Sequence, residues 1–270
     1  MKAEISNVSH EQITRCIDFI MKKKVIAVFL SYNAEKTLEN FYKTFPSDLV
    51  DDVIVFDDAS TDKTLDVAKR LGLRVYSNKF NLGYGGNLKR ALSTCLKEGA
   101  DIIVDLHADG EYLAGVVPLG ISAMEAGADL VLGDRFDSKR GALPGGMFIW
   151  KYFPIKFLNF LCAVVLKTNK LDFHTGFRVY SRKLLETANY TNNSNGFIFS
   201  FEIIVQCVYH GLCLTRVPVD TWYRGQKRGA KLSFCFTYTL KTLRLLLLFL
   251  LARYGLRTKY FSRLVDKAVV

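Results

Sequence analysis

The sequence predicts an α/β fold with a mostly parallel sheet flanked by helices. Short apolar runs alternate with helical segments through the first half of the chain, which is the pattern of strands joined by helical crossovers. Two of these runs, VIVFDD and DIIVDLHAD, end in carboxylates, as expected where parallel strands present side chains to a crevice at their carboxyl ends. The 270 residues, 23% of them charged, are enough to bury one substantial core.

The elements of this domain are predicted in chain order. Ser9 precedes Ile13, Ile17 and Ile20 at helical spacing, which predicts a short accessory helix before the sheet. Apolar runs then predict strands at 25–30, 53–56, 74–76, 101–106 and 129–132. Helices are predicted between them at 34–42, 64–71, 92–97 and 116–126.

Two long apolar segments follow the predicted sheet. Residues 148–166 contain Lys151, Pro154 and Lys156, so we expect a helix beside the site and not a membrane span. Residues 234–252 include two basic side chains that leave an uninterrupted apolar run of only eight residues, whereas a bilayer crossing needs about 20. We expect basic amphipathic C-terminal helices that lie among lipid headgroups, or alternatively a helix packed on the core or on a second copy.

The positive charge is concentrated in the last part of the chain. From Thr191 onward there are 12 Lys and Arg against three acidic residues, so this part carries +9 of the total +11. It should face an anionic surface or ligand, and charge alone does not choose among phospholipid, lipid phosphate, diphosphate and nucleic acid. We divide the chain into an accessory helix (1–23), a sheet domain (24–233) and a basic C-terminal segment (234–270).

Cysteine usage and the N-terminus predict a cytoplasmic setting. The six cysteines are scattered, without the close pairs of a zinc site or the density of a secreted disulfide scaffold. The first 20 residues contain acidic and polar side chains where a signal peptide needs a basic head and an apolar core.

The first acidic pair, Asp57 and Asp58, follows an apolar strand and precedes a helix. Asp62 and Thr64 are sufficient to order that turn. A carboxylate at the strand end is suited to accept hydrogen bonds from the base or ribose of a nucleotide.

The second acidic cluster lies in DLHADGEY. Asp105, His107 and Asp109 alternate, so they would point the same way if the strand stayed extended. Such a cluster suits Mg²⁺ or Mn²⁺, with Asp109 as the chosen ligand and diphosphate oxygens as the others. His107 is either a second ligand, which would favour Mn²⁺, or a hydrogen-bond partner for a loop. Asp105 is expected to face inward to an Arg.

Seven ordered motifs carry a family resemblance over about 25–233. They are SYNAEKTL, FDDASTDKT, NLGYGGNLKRAL, HADGEY, GDRF, HTGFRVYSR and the stretch 199–218. The Gly-rich motif is weak alone, because it matches neither the dinucleotide fingerprint nor GK[ST]. In this order the motifs resemble family-two glycosyltransferases of the GT-A fold. The chain is most similar to the dolichol-phosphate mannose synthase-like and polyprenyl-phosphate glycosyltransferase branch.

The resemblance implies a role for each matched residue. Asp58 would contact the nucleobase with support from Asp57, in a pocket also lined by Ser31, Tyr32 and Asn33. Asp109 would bind the metal, and His107 stands where the family's DxD pattern commonly has its first Asp. Arg135 and Arg178 would face the donor or acceptor phosphate, where bidentate guanidinium contacts are chemically suitable. The alternative for Arg178 is an ion pair with buried Asp105.

The identity of the acceptor decides whether a general base is needed. An alcohol acceptor needs one, and the candidates are Glu202 and Asp172. A phosphate monoester, with a second pKa near 6, is already largely ionised. No further pair of acidic residues stands out as the source of a base. This observation and the basic C-terminal part favour a lipid phosphate as the acceptor. A basic loop would close over the phosphates, or would simply be solvated; it contains Arg224, Lys227, Arg228 and Lys231.

We therefore expect an inverting glycosyltransferase that moves a hexose from a nucleoside diphosphate sugar to a polyprenyl phosphate. It would be peripheral at the cytoplasmic face of an anionic membrane. Two alternatives stay open: a soluble transferase acting on a hydroxyl of a glycan, protein or modified nucleic acid, and a degenerate nucleotide-sugar-binding protein. Unmodified nucleic acid is not an expected partner, and homo-oligomerisation is left open.

Overall fold

A computed structural model describes residues 23–223, 232–255, 258 and 260–261. Most of the predicted accessory helix (1–22) and the basic-loop residues Arg224, Lys227, Arg228 and Lys231 lie outside these ranges. Seven strands form one sheet in the order β3-β2-β1-β4-β6-β5-β7. They are β1 Val25–Ser31, β2 Asp52–Asp57, β3 Arg74–Ser77, β4 Ile102–His107, β5 Leu130–Asp134, β6 Arg178–Ser181 and β7 Leu214–Pro218. Only β6 runs antiparallel to its neighbours, so the predicted mostly parallel α/β fold is confirmed.

Helices cover both faces of the sheet, which explains why the central strands are apolar throughout. One face is covered by α1 Leu38–Thr44, α2 Thr64–Arg70 and α4 Val117–Glu125. The other is covered by α3 Tyr84–Lys97, α5 Ile149–Leu166, α6 Arg182–Thr187, α7 Phe199–Tyr209 and α8 Leu232–Arg253. At their carboxyl ends the strands β1, β2 and β4 each extend one residue beyond prediction, and these added residues, Ser31, Asp57 and His107, are polar.

The Gly-rich segment begins α3 earlier than predicted, at Tyr84 instead of Leu92. Gly83 has a φ of +77°, and a Cβ on Gly85 would meet the Ser194 carbonyl and Phe199. The backbone N–H groups of Gly85 and Gly86 donate to the Asn195 carbonyl, at 2.8 and 3.2 Å. These glycines therefore allow close packing, and the amides at this helix start are already bonded within the protein.

The long helices α5 and α8 pack against each other at one side of the domain. By length and composition, Ile149–Leu166 and Ser233–Arg253 are each apolar enough to cross a membrane. A buried core helix meets the same test, but only 28% and 22% of these two segments are buried. Each helix instead packs one face on the core, through residues such as Leu158 and Cys162 or Leu245 and Phe249, and exposes the rest.

Candidate functional site

The sheet brings the predicted site residues to one edge. Strand β1 is central, with β2 on one side and β4 on the other, which creates the crevice where open α/β sheets bind ligands. In this register Ser31 lies beside Asp57, and Leu30 lies beside His107. The residues predicted to bind the nucleotide and the metal therefore lie at the ends of neighbouring strands.

On the β2 side, two buried polar atoms lack a partner among the described residues: Ser31 Oγ and Asp57 Oδ1. The other oxygen of Asp57, Oδ2, accepts from Ser60 N at 3.2 Å and from Ser77 Oγ at 2.9 Å. Leaving buried polar atoms unpaired costs about 1–3 kcal/mol each. A polar ligand such as a nucleobase would satisfy both atoms.

The neighbouring residues Asp58 and Asn33 order the surrounding loops. Asp58 Oδ1 accepts from Asn78 Nδ2 and from Leu82 N, both at 2.8 Å. Asn33 has a φ of +51°, and its Oδ1 accepts from Thr61 N at 2.9 Å. In this geometry Asp57 has a fully buried carboxylate oxygen without a partner among the described residues, and the hydrogen bonds to the Asp58 carboxylate fall on its Oδ1. Tyr32 lies on the surface with 54% of its area exposed.

The strand β4 ends at His107, so the alternation expected through Asp109 does not continue. Asp109 lies in the turn that follows, and its Oδ1 accepts from Glu111 N at 2.9 Å. The Nε2 atom of His107 is buried without a partner, and its ring packs edge-on against Tyr84 at 5.2 Å. Both His107 and Asp109 line the same cavity.

These two side chains fit a divalent metal only together with ligand oxygens. Within the described ranges no group of three or more His, Cys, Asp or Glu side chains is placed to hold a metal ion. One carboxylate and one imidazole nitrogen would complete a coordination sphere with diphosphate oxygens and water, as Mg²⁺ and Mn²⁺ commonly do.

Asp105 is fully buried and faces inward, as expected. Its position in β4 is opposite Arg178 in β6, and its Oδ2 accepts from Tyr180 Oη at 3.3 Å. Burial raises the pKa of Asp105 to about 6, although the nearby His107 and Arg178 side chains and the hydrogen bond from Tyr180 oppose the shift. The Arg178–Asp105 ion pair, which was the alternative interpretation of Arg178, does not form within 4.0 Å.

Arg178 is 1% exposed, and its Nε has no partner among the described residues. Arg135, by contrast, is held in a buried ion pair: its Nε and Nη2 donate to the two Asp172 oxygens, at 2.6 and 3.0 Å. Burial alone would raise the pKa of Asp172, but the charge and hydrogen bonds of Arg135 outweigh it and hold that pKa below its usual value.

The two candidate general bases are therefore poorly placed for that role. Asp172 is fully buried, and its oxygens are occupied by Arg135 and by Asn159 Nδ2, which donates to Oδ1 at 3.2 Å. Glu202 is buried in α7, its Oε2 accepts from Ser194 N at 2.7 Å, and it does not line the cavity.

The cavity itself has a volume of about 960 Å³ and joins two different environments. Its end at the sheet is polar and contains His107, Asp109, Arg135 and Arg178. Its walls from α5 and α8 are mainly apolar and include Phe148, Trp150, Pro154, Leu158 and Phe234. The cavity is therefore amphiphilic.

Several lining residues were not predicted from the sequence. They are Tyr84, His174, Thr175, Tyr223 and Tyr238. Tyr84 lies inside the Gly-rich motif, and His174 and Thr175 lie inside HTGFR. The sequence therefore identifies their motifs but does not assign these residues to the site. Nothing in the sequence pattern of α8 marks Tyr238.

The sheet order and the polar crevice define an α/β protein of the GT-A fold class. Residues 27–188 match the family described as Glycosyl transferase family 2, which is more than half of the chain. The chain belongs to this family, and it is a nucleotide-sugar-dependent glycosyltransferase.

Similar proteins are known from archaea and bacteria. An uncharacterized protein of Methanocaldococcus jannaschii is 27% identical over 210 residues, covering 77% of this chain and 85% of that protein. Polyprenol monophosphomannose synthase of Mycolicibacterium smegmatis is 26% identical over 178 residues, covering 62% of this chain and 65% of that protein. Glucosyl-3-phosphoglycerate synthase from Mycobacterium tuberculosis, solved with Mn²⁺, UDP and phosphoglyceric acid, shares the fold with a TM-score of 0.63. Its identity is 18%, with 94% of this chain and 86% of that chain covered.

Proposed function

We propose that this protein transfers a hexose, with inversion, from a nucleoside diphosphate sugar to a polyprenyl phosphate. The observation that carries the proposal is the amphiphilic cavity, whose polar end holds Arg178 and Asp109 and whose other walls are the apolar helices α5 and α8. A lipid phosphate has the same two parts. The name of the Mycolicibacterium smegmatis relative supports this acceptor class.

The exposed faces of α5 and α8 support action at a membrane surface. Large apolar side chains on both helices are exposed, including Phe153, Phe157, Leu240 and Leu247. Neither helix contains Asp or Glu, while both carry Lys or Arg, which suits an anionic bilayer. Because one face of each helix packs on the protein core, we propose that they lie in the headgroup region of the cytoplasmic membrane face and do not span it.

In the proposed mechanism the chain's residues bind and orient the diphosphate of the donor and the phosphate of the acceptor. Ser31 and Asp57 hold the nucleobase, and His107 with Asp109 would hold a divalent metal. When bound, Mg²⁺ or Mn²⁺ neutralises charge on the leaving diphosphate. The Mn²⁺ and UDP of the Mycobacterium tuberculosis neighbour support this assignment.

Arg178 supplies a fixed cation for phosphate oxygens, while Arg135 is oriented by Asp172. The acceptor phosphate is largely ionised at neutral pH, so it attacks the sugar without a protein base. This agrees with the buried positions of Asp172 and Glu202.

The decisive experiment is an acceptor assay with purified full-length protein. UDP-, GDP-, CDP- and dTDP-hexoses are each incubated with Mg²⁺ or Mn²⁺ and one of three acceptors: farnesyl phosphate in detergent, phosphoglycerate, or a free oligosaccharide. We expect transfer only to farnesyl phosphate, and none after chelation with EDTA. Transfer to a water-soluble acceptor but not to farnesyl phosphate would refute the proposal, and nucleotide binding without transfer would identify a degenerate binding protein.

A further inference from the structure

Three polar side-chain atoms in the segment 174–178 lack partners among the described residues. They are His174 Nε2, Thr175 Oγ1 and Arg178 Nε, and each atom is shielded from solvent. Thr175 and Arg178 are only 3% and 1% exposed, yet all three side chains line the cavity. Because buried donors without partners are costly, their clustering on five consecutive residues indicates a ligand.

The state of His174 follows from its neighbour on α8. His174 Nδ1 lies 3.0 Å from Tyr238 Oη, which has no other hydrogen-bond partner among the described residues. The Tyr238 hydroxyl is satisfied as a donor only if Nδ1 accepts, and the ring hydrogen is then on Nε2. Burial, together with the charges of Arg135 and Arg178, lowers the pKa of His174 to about 4 although Asp172 opposes it, so the ring is neutral at pH 7.

We propose that His174, Thr175 and Arg178 form the subsite for the acceptor phosphate. Tyr238 is a positioning residue, because its hydroxyl selects the His174 tautomer that donates into the cavity. This inference rests on the proposed function and extends it to residues outside the metal and nucleotide ends of the site.

The chemistry of the subsite fits a phosphate better than a sugar hydroxyl. The imidazole Nε2–H and the guanidinium Nε–H can only donate, and one of them carries a fixed positive charge. A phosphate monoester offers three acceptor oxygens and negative charge, so it can accept from all three groups. A sugar hydroxyl is also a donor, and only the Thr175 hydroxyl could accept from it. Because His174 bonds to α8, the subsite lies beside the apolar wall that would contact the lipid chain, and away from β2.

The test measures the binding of farnesyl phosphate by calorimetry, using pairs of variants of the full-length protein. Thr175→Val and His174→Asn each remove a donor, and we expect each to weaken farnesyl phosphate binding about tenfold or more, because bonds to charged groups are strong. Thr175→Ser and His174→Gln restore a donor at the same place, and we expect binding within about threefold of wild type. Thr242→Val, a buried α8 hydroxyl outside the cavity, is the matched control and should change nothing.

Two further readouts separate positioning from general damage. Nitrogen-15 NMR of the four histidines, assigned with His174→Gln, should show His174 protonated on Nε2, and Tyr238→Phe should shift that resonance toward mixed tautomers. The nucleotide affinity of all variants should stay within about twofold of wild type, because the subsite does not hold the donor.

The outcomes distinguish this inference from the proposed function. If wild type binds farnesyl phosphate and the donor-deleting variants bind it equally well, the subsite is wrong while the acceptor proposal stands. If nucleotide affinity falls instead, these donors serve the diphosphate and the inference is overturned. If wild type binds a nucleotide but no farnesyl phosphate, the acceptor proposal fails and the inference fails with it.

Discussion

The Arg135–Asp172 ion pair allows a direct test of whether Asp172 orients Arg135 or acts as a base. The substitution Asp172→Asn keeps the side-chain shape and removes the charge. Arg135 would then lose its counter-charge in a buried position, together with one of its two hydrogen bonds of 2.6 and 3.0 Å, because the amide nitrogen of Asn cannot accept. Removing one partner of a buried pair typically costs about 3–5 kcal/mol of unfolding free energy.

For a chain of this length, about 2 °C in melting temperature corresponds to 1 kcal/mol, so we expect Asp172→Asn to melt about 6–10 °C below wild type. The assay is thermal unfolding followed by circular dichroism, with urea unfolding as the second measurement. The matched control is Lys43→Gln, which breaks the exposed Lys43–Glu39 pair and should cost at most about 0.5 kcal/mol.

The activity readout separates the two roles. An orienting Asp172 predicts that Asp172→Asn weakens acceptor binding and stability together, and that Arg135→Met combined with Asp172→Met recovers much of the stability without recovering activity. A general base predicts the opposite pattern. If Asp172→Asn melts at the wild-type temperature but loses more than about a thousandfold in turnover at unchanged acceptor affinity, our reasoning is refuted.

Other expected outcomes rest on single features of the fold. Gly85→Ala should destabilise the protein by about 1–3 kcal/mol in urea unfolding, because its Cβ would meet the Ser194 carbonyl. The double substitution of exposed Phe153 and Phe157 by Ser should abolish sedimentation with phosphatidylglycerol vesicles at unchanged melting temperature; retained sedimentation would contradict the membrane surface. Because the pKa of His174 is depressed to about 4, this group stabilises the fold above pH 6.5 and loses that contribution as pH falls toward 4. The unfolding free energy of His174→Gln, measured by urea unfolding, should therefore decrease less steeply than that of wild type between pH 6.5 and pH 4.

The strands at the centre of the fold could be predicted from the sequence. The apolar runs of β1, β2 and β4 are buried on both faces, and their alternation with helices specifies a parallel sheet. The helix α7 was not predicted, because all nine of its residues from Phe199 to Cys207 are buried and no apolar periodicity remains. The strand β6 has only four residues and begins with a buried Arg, so its pattern is too short to identify.

The site was predictable in its residue types but not in its pairings. Carboxylates at strand ends and the GDRF and HTGFR motifs indicate Asp57, Arg135 and Arg178 from the sequence alone. The partners of such groups come from distant parts of the chain: Arg135 and Asp172 are 37 residues apart. His174 and Tyr238 are 64 residues apart and meet only because α8 packs beside the site.

The two buried arginines that line the cavity contribute differently to its electrostatic potential. Arg135 has its charge balanced by Asp172, so it contributes shape and hydrogen bonds but little net field. Arg178 has no carboxylate within 4.0 Å among the described residues, and the buried acid opposite it, Asp105, is easier to protonate because burial raises its pKa to about 6. An unbalanced buried guanidinium lowers stability unless an anion compensates it, and functional sites commonly retain such destabilising groups. For the proposed phosphate acceptor, we therefore expect the attraction to come mainly from Arg178.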